Sequence, residues 1–275
     1  MTAGFDAYSP REIAQRLDEV GLAKARLPLL QLVMLGLLAG AFIGLGALFS
    51  VIVLADASLG FAAQRLAAGA VFSLGLLLVV VAGAELFTGN NLLAMAWADG
   101  RLRGRDLLRN WLVVCLANFA GAAALALVVF LSGHAGMNGG AIGATYLEIA
   151  AAKAALPFGQ AFCRGVLCNV LVCAAVWMTL AGRSVTDKFI AILLPISAFV
   201  AAGFEHSIAN MYFFPLAMLL RAAAGGATDC GWLWHNLVPV IAGNLVGGSV
   251  LVALVYYVIY GRAGAVSRSS NSSTQ

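Results

Sequence analysis

Long stretches of this chain carry no charged side chain, and that feature limits its possible folds more than any other. Residues 27–55, for example, form 29 consecutive positions without Asp, Glu, Lys or Arg. A helix that crosses about 30 Å of hydrocarbon needs roughly 20 apolar residues. Charged residues make up 10% of the chain, against about 25% in soluble domains, which is too few to cover a soluble surface. The sequence therefore predicts an all-α membrane protein.

The same composition excludes several other classes of protein. A net charge of +4 over 275 residues is too weak a bias for nucleic-acid binding, and a chain this apolar does not stay disordered. The cysteines lack the paired spacing of a disulfide framework. Cys163, Cys168 and Cys173 follow each other at five-residue intervals, which turns successive thiols about 140° around a helix. We therefore expect packing cysteines, no metal site and no cofactor.

Apolar runs of sufficient length predict six transmembrane helices. Two of the runs are interrupted, the second by Glu85 and the fifth by Glu205 and His206. The predicted spans cover residues 27–55, 65–84, 110–131, 165–182, 189–220 and 236–260.

Lys and Arg are distributed unequally between the two sides of this arrangement. With a cytoplasmic N-terminus, all but four of the 16 basic residues fall in cytoplasmic segments, as the positive-inside rule requires. The four on the outer side are Arg65, Lys153, Arg164 and Arg221. Both termini are therefore expected in the cytoplasm.

The two interrupted spans repeat each other. Glu85 and Asn90 stand at the same spacing as Glu205 and Asn210, 120 residues later. Asn118-Phe119-Ala120-Gly121 in the third span resembles Asn244-Leu245-Val246-Gly247 in the sixth. Two copies of a three-span unit must enter the membrane in opposite directions. Such an inverted 3+3 repeat with broken helices is typical of membrane pores and transporters.

The broken helices constrain the residues around them. Unwound backbone at membrane depth must be buried in protein or line a wet cavity, and Gly89 and Asn90 tolerate the left-handed conformations of a loop. Intramembrane ionisable residues are costly unless they are paired or hydrated. We expect Glu85 and Glu205 to tie down loop N–H groups and neighbouring helices, and we expect His206 to be functional.

The sequence predicts three parts of the chain. Ser9, Pro10 and Glu12 have the spacing of a helix start, with a capping Ser, Pro at the first helical position and Glu at the third. The apolar face behind them consists of Ile13, Leu17 and Val20. The parts are a cytoplasmic amphipathic helix that anchors or gates (residues 1–26), a six-span pore domain (27–262) and a disordered cytoplasmic tail (263–275), in which Asn271-Ser272-Ser273 matches the glycosylation pattern by chance.

Several motifs resemble those of the formate/nitrite transporter family. They are Glu85-Leu86-Phe87-Thr88, Gly165-Val166-Leu167-Cys168-Asn169, Gly182-Arg183-Ser184, Gly203-Phe204-Glu205-His206-Ser207-Ile208-Ala209-Asn210-Met211 and Gly243-Asn244-Leu245-Val246-Gly247-Gly248. The similarity extends over roughly residues 10–260, and the fifth-span motif is the most specific. The resemblance implies an aquaporin-like fold, a homopentamer with one pore per protomer, and passage of small monovalent anions across a bacterial inner membrane.

The resemblance also implies roles for individual residues. His206 and Thr88 match the facing pair at the pore centre, and Lys153 matches a lysine of the outer vestibule. Asn169, Asn244 and Glu205 match polar residues of the chamber. The apolar constrictions match Phe72, Leu76, Leu86, Phe87, Val172 and Phe199. Among the anions that the family serves, formate is expected on frequency alone, with nitrite and hydrosulfide as alternatives.

The residues indicate how such an anion would cross. A bare anion loses hydration worth many kcal/mol in an apolar constriction, whereas the neutral acid loses far less. Because His titrates near neutral pH, His206 can share a proton with the anion, and both channel and proton-symport modes remain open. The N-terminal end of the helix after His206 attracts anions, and Lys153 would concentrate them at the outer mouth.

Other functions fit the sequence less well. A water or glycerol channel should carry Asn-Pro-Ala at each half-helix, whereas this chain has Asn90-Asn91-Leu92 and Asn210-Met211-Tyr212. An ammonium channel needs a different set of pore histidines. An intramembrane enzyme would have only Ser207 beside His206 as a nucleophile and base, without a Gly-rich nucleophile turn. A receptor or structural role would not explain two matched breaks.

Overall fold

The computed structural model describes residues 7–261, and every regular element in that range is helical. The helices are α1 (Pro10–Ala25), α2 (Leu29–Leu54), α3 (Phe61–Leu77), α4 (Phe87–Asn90), α5 (Ala94–Ala98), α6 (Gly104–Leu131), α7 (Ala141–Ala154), α8 (Phe158–Thr179), α9 (Val185–Ala201), α10 (Ser207–Ala223) and α11 (Gly231–Leu245). Wider π-type turns extend α3 through Leu78–Gly83 and α11 through Val246–Leu254 and Tyr257–Gly261. The predicted tail, residues 263–275, lies outside the described residues.

Helix α1 begins where the sequence predicts it. The Ser9 hydroxyl and backbone N–H both donate to the Glu12 carboxylate, at 2.7 and 2.8 Å, and the Glu12 N–H donates to the Ser9 hydroxyl. The hydrogen bonds from Ser9 lower the pKa of Glu12. Ile13 and Leu17 are buried, but Val20 is 37% exposed, so the buried face is narrower than predicted.

Within residues 7–261, five helices are long and apolar enough to cross a membrane. They are Leu29–Leu54, Phe61–Gly83, Gly104–Leu131, Phe158–Thr179 and Gly231–Gly261. The predicted fifth span is divided into α9 and α10, which have 17 residues each. Large apolar side chains such as Leu30 and Leu194, both 73% exposed, cover the outside, as expected for a protein that lies in lipid.

Close helix packing brings the site residues together. On α2, a side chain at Gly40 would collide with the carbonyl oxygen of Asn118 on α6. On α11, a side chain at Gly243 would collide with the carbonyl oxygen of Phe162 on α8. Backbones at this distance allow one side-chain amide to reach the neighbouring helix. Gly40 and Gly243 therefore allow the close approach of α2 to α6 and of α11 to α8.

Helix α7 is absent from the sequence prediction. It has only 14 residues, so a search for apolar runs of membrane-spanning length does not find it. Its last turn carries Lys153. The following helix, α8, begins at Phe158 rather than at the predicted residue 165.

Both helix breaks begin at a glycine with a positive φ. Gly83 has φ +87° and Gly203 has φ +72°, a region that residues with a β-carbon rarely adopt. The prediction that Gly89 and Asn90 form the loop is wrong, because both lie in α4 with helical backbone angles. Each left-handed glycine stands two residues before its glutamate, which places the reversal ahead of the acidic side chain.

Candidate functional site

One asparagine holds the first break to the rest of the molecule. The Asn118 Oδ1 atom accepts the N–H of Phe87 at 2.9 Å. Its Nδ2 atom donates to the carbonyl oxygens of Glu85 at 2.9 Å and Gly36 at 2.8 Å. Asn118 thereby satisfies backbone groups that hydrocarbon would leave unpaired.

A second asparagine holds the second break in the same way. The Asn244 Oδ1 atom accepts the N–H of Ser207 at 3.0 Å. Its Nδ2 atom donates to the carbonyl oxygens of Glu205 at 3.0 Å and Gly165 at 2.8 Å. The amide of Asn244, predicted as a chamber residue, is therefore engaged in bracing the break.

Glu85 belongs to a buried polar cluster. Its Oε1 atom lies 3.0 Å from the Lys24 Nζ atom, and its Oε2 atom accepts from Asn90 Nδ2 at 2.7 Å. Lys24 also donates to Asn90 Oδ1 at 3.0 Å, and Asn90 donates to Asn110 Oδ1 at 2.9 Å. Because each polar group meets another, the cluster offsets the cost of burying a charge in this position.

Glu205 has a matching cluster. Its Oε1 atom accepts from Lys153 Nζ at 2.9 Å, and its Oε2 atom accepts from Asn210 Nδ2 at 2.7 Å and Asn236 Nδ2 at 3.3 Å. Asn210 also donates to Asn236 Oδ1 at 2.6 Å. The Oδ1 atom of Asn210 has no hydrogen-bond partner among residues 7–261, which distinguishes it from Asn90.

The role expected for the two glutamates needs correction. Their carboxylates accept hydrogen bonds from lysine and asparagine side chains, whereas the predicted loop N–H groups go to Asn118 and Asn244. In the sequence, Lys24 indicates only topology, and its contact with Glu85 is not predicted. No local signal distinguishes Lys24 from the other basic residues near the first predicted span, such as Arg26.

His206 and Thr88 come from different breaks and meet between them. The Thr88 Oγ1 atom lies 3.0 Å from His206 Nε2. His206 Nδ1 accepts the N–H of Ala209 at 3.2 Å, so the ring caps α10. Since Nδ1 is an acceptor, the hydrogen of the neutral ring sits on Nε2 and is donated to Thr88. The Thr88 hydroxyl hydrogen then remains available to another acceptor.

Thr88 is fixed from the side of α8. Its carbonyl oxygen accepts from Asn169 Nδ2 at 3.2 Å and from Cys173 Sγ at 3.3 Å. Asn169 Nδ2 also lies 2.7 Å from the carbonyl oxygen of Asn244. The Asn169 Oδ1 atom, in contrast, has no hydrogen-bond partner within the described part of the chain. The α8 side chains therefore connect both breaks.

Two cavities lie near this pair and share no lining residue. The Lys153 cavity has a volume of about 230 Å³ and is lined by Phe72, Phe199 and His206 among others. The Lys24 cavity has about 500 Å³ and is lined by Leu76 and Leu86 among others. Phe72 and Leu76 are one turn apart on α3, so the cavities approach each other along that helix. Phe87 and Val172, also predicted at the constrictions, are buried and line neither cavity.

Aromatic rings close the bottom of the Lys153 cavity. The Phe199 ring stacks on the His206 ring, with centroids 5.8 Å apart. The Phe72 ring meets Phe199 edge-on at 5.6 Å. All three side chains are at most 4% exposed, so tightly packed rings form the wall of the cavity at His206.

Comparison with known proteins identifies relatives of the whole chain. Residues 11–258 match the formate/nitrite transporter family model. The formate channel FocA of Escherichia coli K12 is 39% identical over 272 aligned residues, which cover 93% of this chain and 95% of that protein. A probable formate transporter of Methanothermobacter thermautotrophicus is 37% identical, with coverage of 94% and 98%.

Solved structures give the same result. A pentameric formate channel with formate bound has a TM-score of 0.77 and 36% identity, covering 84% of this chain and 97% of its own. An ion channel of the same family has a TM-score of 0.80 and 30% identity, with coverage of 90% and 98%. These relatives are channels and transporters, and this chain is a membrane protein that belongs to the formate/nitrite transporter family.

Proposed function

We propose that this chain is a channel for small monovalent anions of weak acids, and first of all for formate. The observation that carries the proposal is the contact between Thr88 and His206, which joins the two breaks close to both cavities. The formate channel relatives and the formate-bound structure support the choice of substrate. Nitrite and hydrosulfide are the alternatives within the same family.

The proposed architecture is an aquaporin-like inverted repeat of three plus three spans. Helices α9 and α10 together form the broken fifth span, and α3 with α4 and α5 forms the broken second span. The matched hydrogen bonds of Asn118 and Asn244 support this repeat, because each joins equivalent atoms in its own half.

The proposed assembly is a homopentamer in a bacterial inner membrane, with both termini in the cytoplasm. In this orientation the Lys24 cavity faces the cytoplasm and the Lys153 cavity faces outward. Helix α1 lies at the cytoplasmic interface, where Lys24 in its last turn contacts the first break. Membrane lipids cover the exposed apolar side chains.

Proton exchange at His206 would let the anion cross as its neutral acid. A proton taken up by the ring binds at Nδ1 and displaces the hydrogen bond from the Ala209 N–H. Nε2 then passes its own proton to the anion, directly or through the Thr88 hydroxyl. The ring is then the neutral Nδ1–H tautomer, and it regains its starting form when Nε2 takes up a proton and Nδ1 releases its own. The neutral acid crosses the apolar passage at a far smaller desolvation cost than the anion.

Ser207 and His206 lack the geometry of a nucleophile and its base. The His206 Nε2 atom contacts Thr88, and its Nδ1 atom is occupied by Ala209. Ser207 Oγ has no hydrogen-bond partner among the described residues. A serine nucleophile requires a base within hydrogen-bond reach, so we do not propose catalysis.

Reconstituted liposomes test the proposed function. Uptake of formate, nitrite and hydrosulfide is compared at two pH values, with protein-free liposomes as the control. We expect formate to enter fastest and all anions to enter faster at the lower pH. Faster entry of nitrite or hydrosulfide would reassign the substrate, and uptake equal to that of protein-free liposomes for every anion would refute the channel.

A further inference from the structure

The Lys153 cavity contains more positive charge than a site for one monovalent anion needs. Three cationic side chains line it, those of Arg65, Lys153 and Arg164. Glu205 is the acidic residue in its lining. The formal net charge of these four groups is therefore two positive.

The partners of these cations leave two charges without compensation. Lys153 is paired with Glu205 at 2.9 Å. Arg65 donates from Nε to the carbonyl oxygen of Ala201 at 3.0 Å and from Nη2 to that of Val200 at 2.8 Å. These acceptors are neutral, so the guanidinium keeps its full charge.

Arg164 is the second uncompensated cation. Within residues 7–261 its side chain takes part in no ion pair or hydrogen bond. The carbonyl oxygen of Arg164 accepts the N–H of Glu205 at 3.3 Å, which places Arg164 beside the Lys153–Glu205 pair. A free guanidinium beside an apolar wall is well suited to bind a carboxylate through two parallel hydrogen bonds.

We propose that the Lys153 cavity binds small dicarboxylate dianions and that a bound dianion blocks the pore from that mouth. The proposal rests on the proposed channel function, because the block is a block of anion flux. Two negative charges match the net charge of the cavity, whereas a monovalent anion compensates only half of it. A volume of about 230 Å³ accommodates a molecule of the size of malonate.

A dianion cannot continue from this cavity into the narrow passage. The way forward is closed by the buried rings of Phe72, Phe199 and His206. A doubly charged ion loses far more hydration there than a singly charged one, and one proton from His206 would leave it charged. The dianion is therefore held in the cavity and does not cross.

The block is expected from one side of the membrane. The Lys24 cavity is lined by Lys24, Lys188 and Glu85, which gives a formal net charge of one positive. Lys24 is paired with Glu85 at 3.0 Å, so Lys188 is the cation left over. One uncompensated charge in a larger cavity should hold a dianion less tightly.

Right-side-out membrane vesicles that contain the protein test this proposal. Uptake of labelled formate is measured at slightly alkaline pH and constant ionic strength, with malonate or monomethyl malonate outside. Monomethyl malonate is only one methyl group larger but carries one negative charge. We expect malonate to inhibit competitively at concentrations at least roughly tenfold lower than its ester, since one charge-assisted contact is lost. Equal potency of the two compounds would overturn the proposal.

Two variants locate the site. Arg164→Gln should raise the half-inhibitory malonate concentration roughly tenfold or more, whereas Lys188→Gln, which removes a cation from the opposite cavity, should leave it unchanged. An unchanged value in Arg164→Gln would overturn the proposal. Formate uptake without malonate tests the channel separately. If that uptake is absent, equilibrium dialysis of labelled malonate against the purified protein decides, and a lack of binding, or equal binding to Arg164→Gln, contradicts the site.

Discussion

The two helix breaks share a frame but differ in the residues that they present. In both, a left-handed glycine precedes a glutamate, and an asparagine from a later helix pairs three backbone groups. The residue after the glutamate is Leu86 in one break and His206 in the other. Two positions further along, the first break has Thr88 where the second has Ile208. The two breaks therefore share one backbone arrangement, whereas Thr88 occurs only in the first break and His206 only in the second.

The lysine clusters differ as well. Lys24 contacts both Glu85 and Asn90, whereas Lys153 contacts Glu205 and leaves the Asn210 Oδ1 atom without a partner among the described residues. The Asn90 Oδ1 atom of the first cluster has a partner in Lys24, whereas the equivalent Oδ1 atom of Asn210 is an unpaired acceptor among the described residues. Asn210 Oδ1 is a hydrogen-bond acceptor outside the lining of the Lys153 cavity, so anion binding on that side depends on the cationic side chains.

The largest effect on stability is expected when the asparagine that braces either break is removed. Asn118→Ala and Asn244→Ala each remove the partner of one N–H and one carbonyl group of the break, which should cost about 3 kcal/mol or more. Both variants should lose assembled protein at a much lower temperature than the wild type, as measured by size exclusion after heating. Gln160→Ala, at an exposed position on α8, is the control. A loss in only one of the two variants would break the comparison.

Substitution of Thr88 should affect folding less than loss of either bracing asparagine, but it should reduce anion flux strongly. Thr88→Val removes the hydroxyl that contacts His206 and should lower formate flux in liposomes roughly tenfold or more, while Thr88→Ser should retain most of it. Ile208→Val, at the matching position of the other break, should have little effect on flux. Equal flux in Thr88→Val and Ile208→Val would show that the hydroxyl has no role.

The lysines should produce effects that depend on the side of the membrane. Lys153→Met should slow entry from outside several-fold at low formate concentration and much less at saturation, because it removes an attraction and leaves the passage unchanged. Lys24→Met should do the same for exit. Initial rates measured in both directions, in oriented vesicles, check this. Identical effects in both directions would contradict the assignment of one cluster to each mouth.

The smallest effect is expected at the start of α1. Ser9→Ala removes the capping hydroxyl, which should cost about 1 kcal/mol of helix stability. Because α1 carries Lys24, hydrogen exchange should accelerate in α1 and at the first break. Helix α7, which carries Lys153, serves as the internal reference. Equal acceleration in α7 would mean that the two clusters are not independent.

Much of the helix pattern follows from the sequence because it depends on local properties. The apolar runs, the start of α1 at Ser9 and the equal spacing of Glu85–Asn90 and Glu205–Asn210 are all visible without coordinates. Helix α7 is not predicted from the sequence, because it is too short to cross a membrane and a hydropathy search for spans does not find it. The sequence prediction places the left-handed residue of the first break at Gly89 or Asn90, whereas the structure has it at Gly83. Glycines stand on both sides of Glu85, and the sequence alone does not show at which of them the helix breaks.

The contacts of the site depend on distant segments and were only partly predictable. The facing of Thr88 and His206 was expected from a family resemblance, not from spacing. The contact of Lys24 with Glu85 joins residues 61 positions apart, and nothing local distinguishes Lys24 from the basic residues that set topology. The direction of each asparagine amide depends on the close approach of two helices, which becomes visible only in three dimensions.

The central claim is that anions exchange protons at His206, and proton-coupled formate uptake tests it most directly. Liposomes with a pH-sensitive dye inside report proton entry when formate is added, for the wild type and for His206→Phe, after size exclusion has verified equal assembly. We predict pH-dependent formate and proton entry in the wild type and none above protein-free liposomes in His206→Phe. Normal pH-dependent entry in His206→Phe would contradict the account and remove His206 from the mechanism.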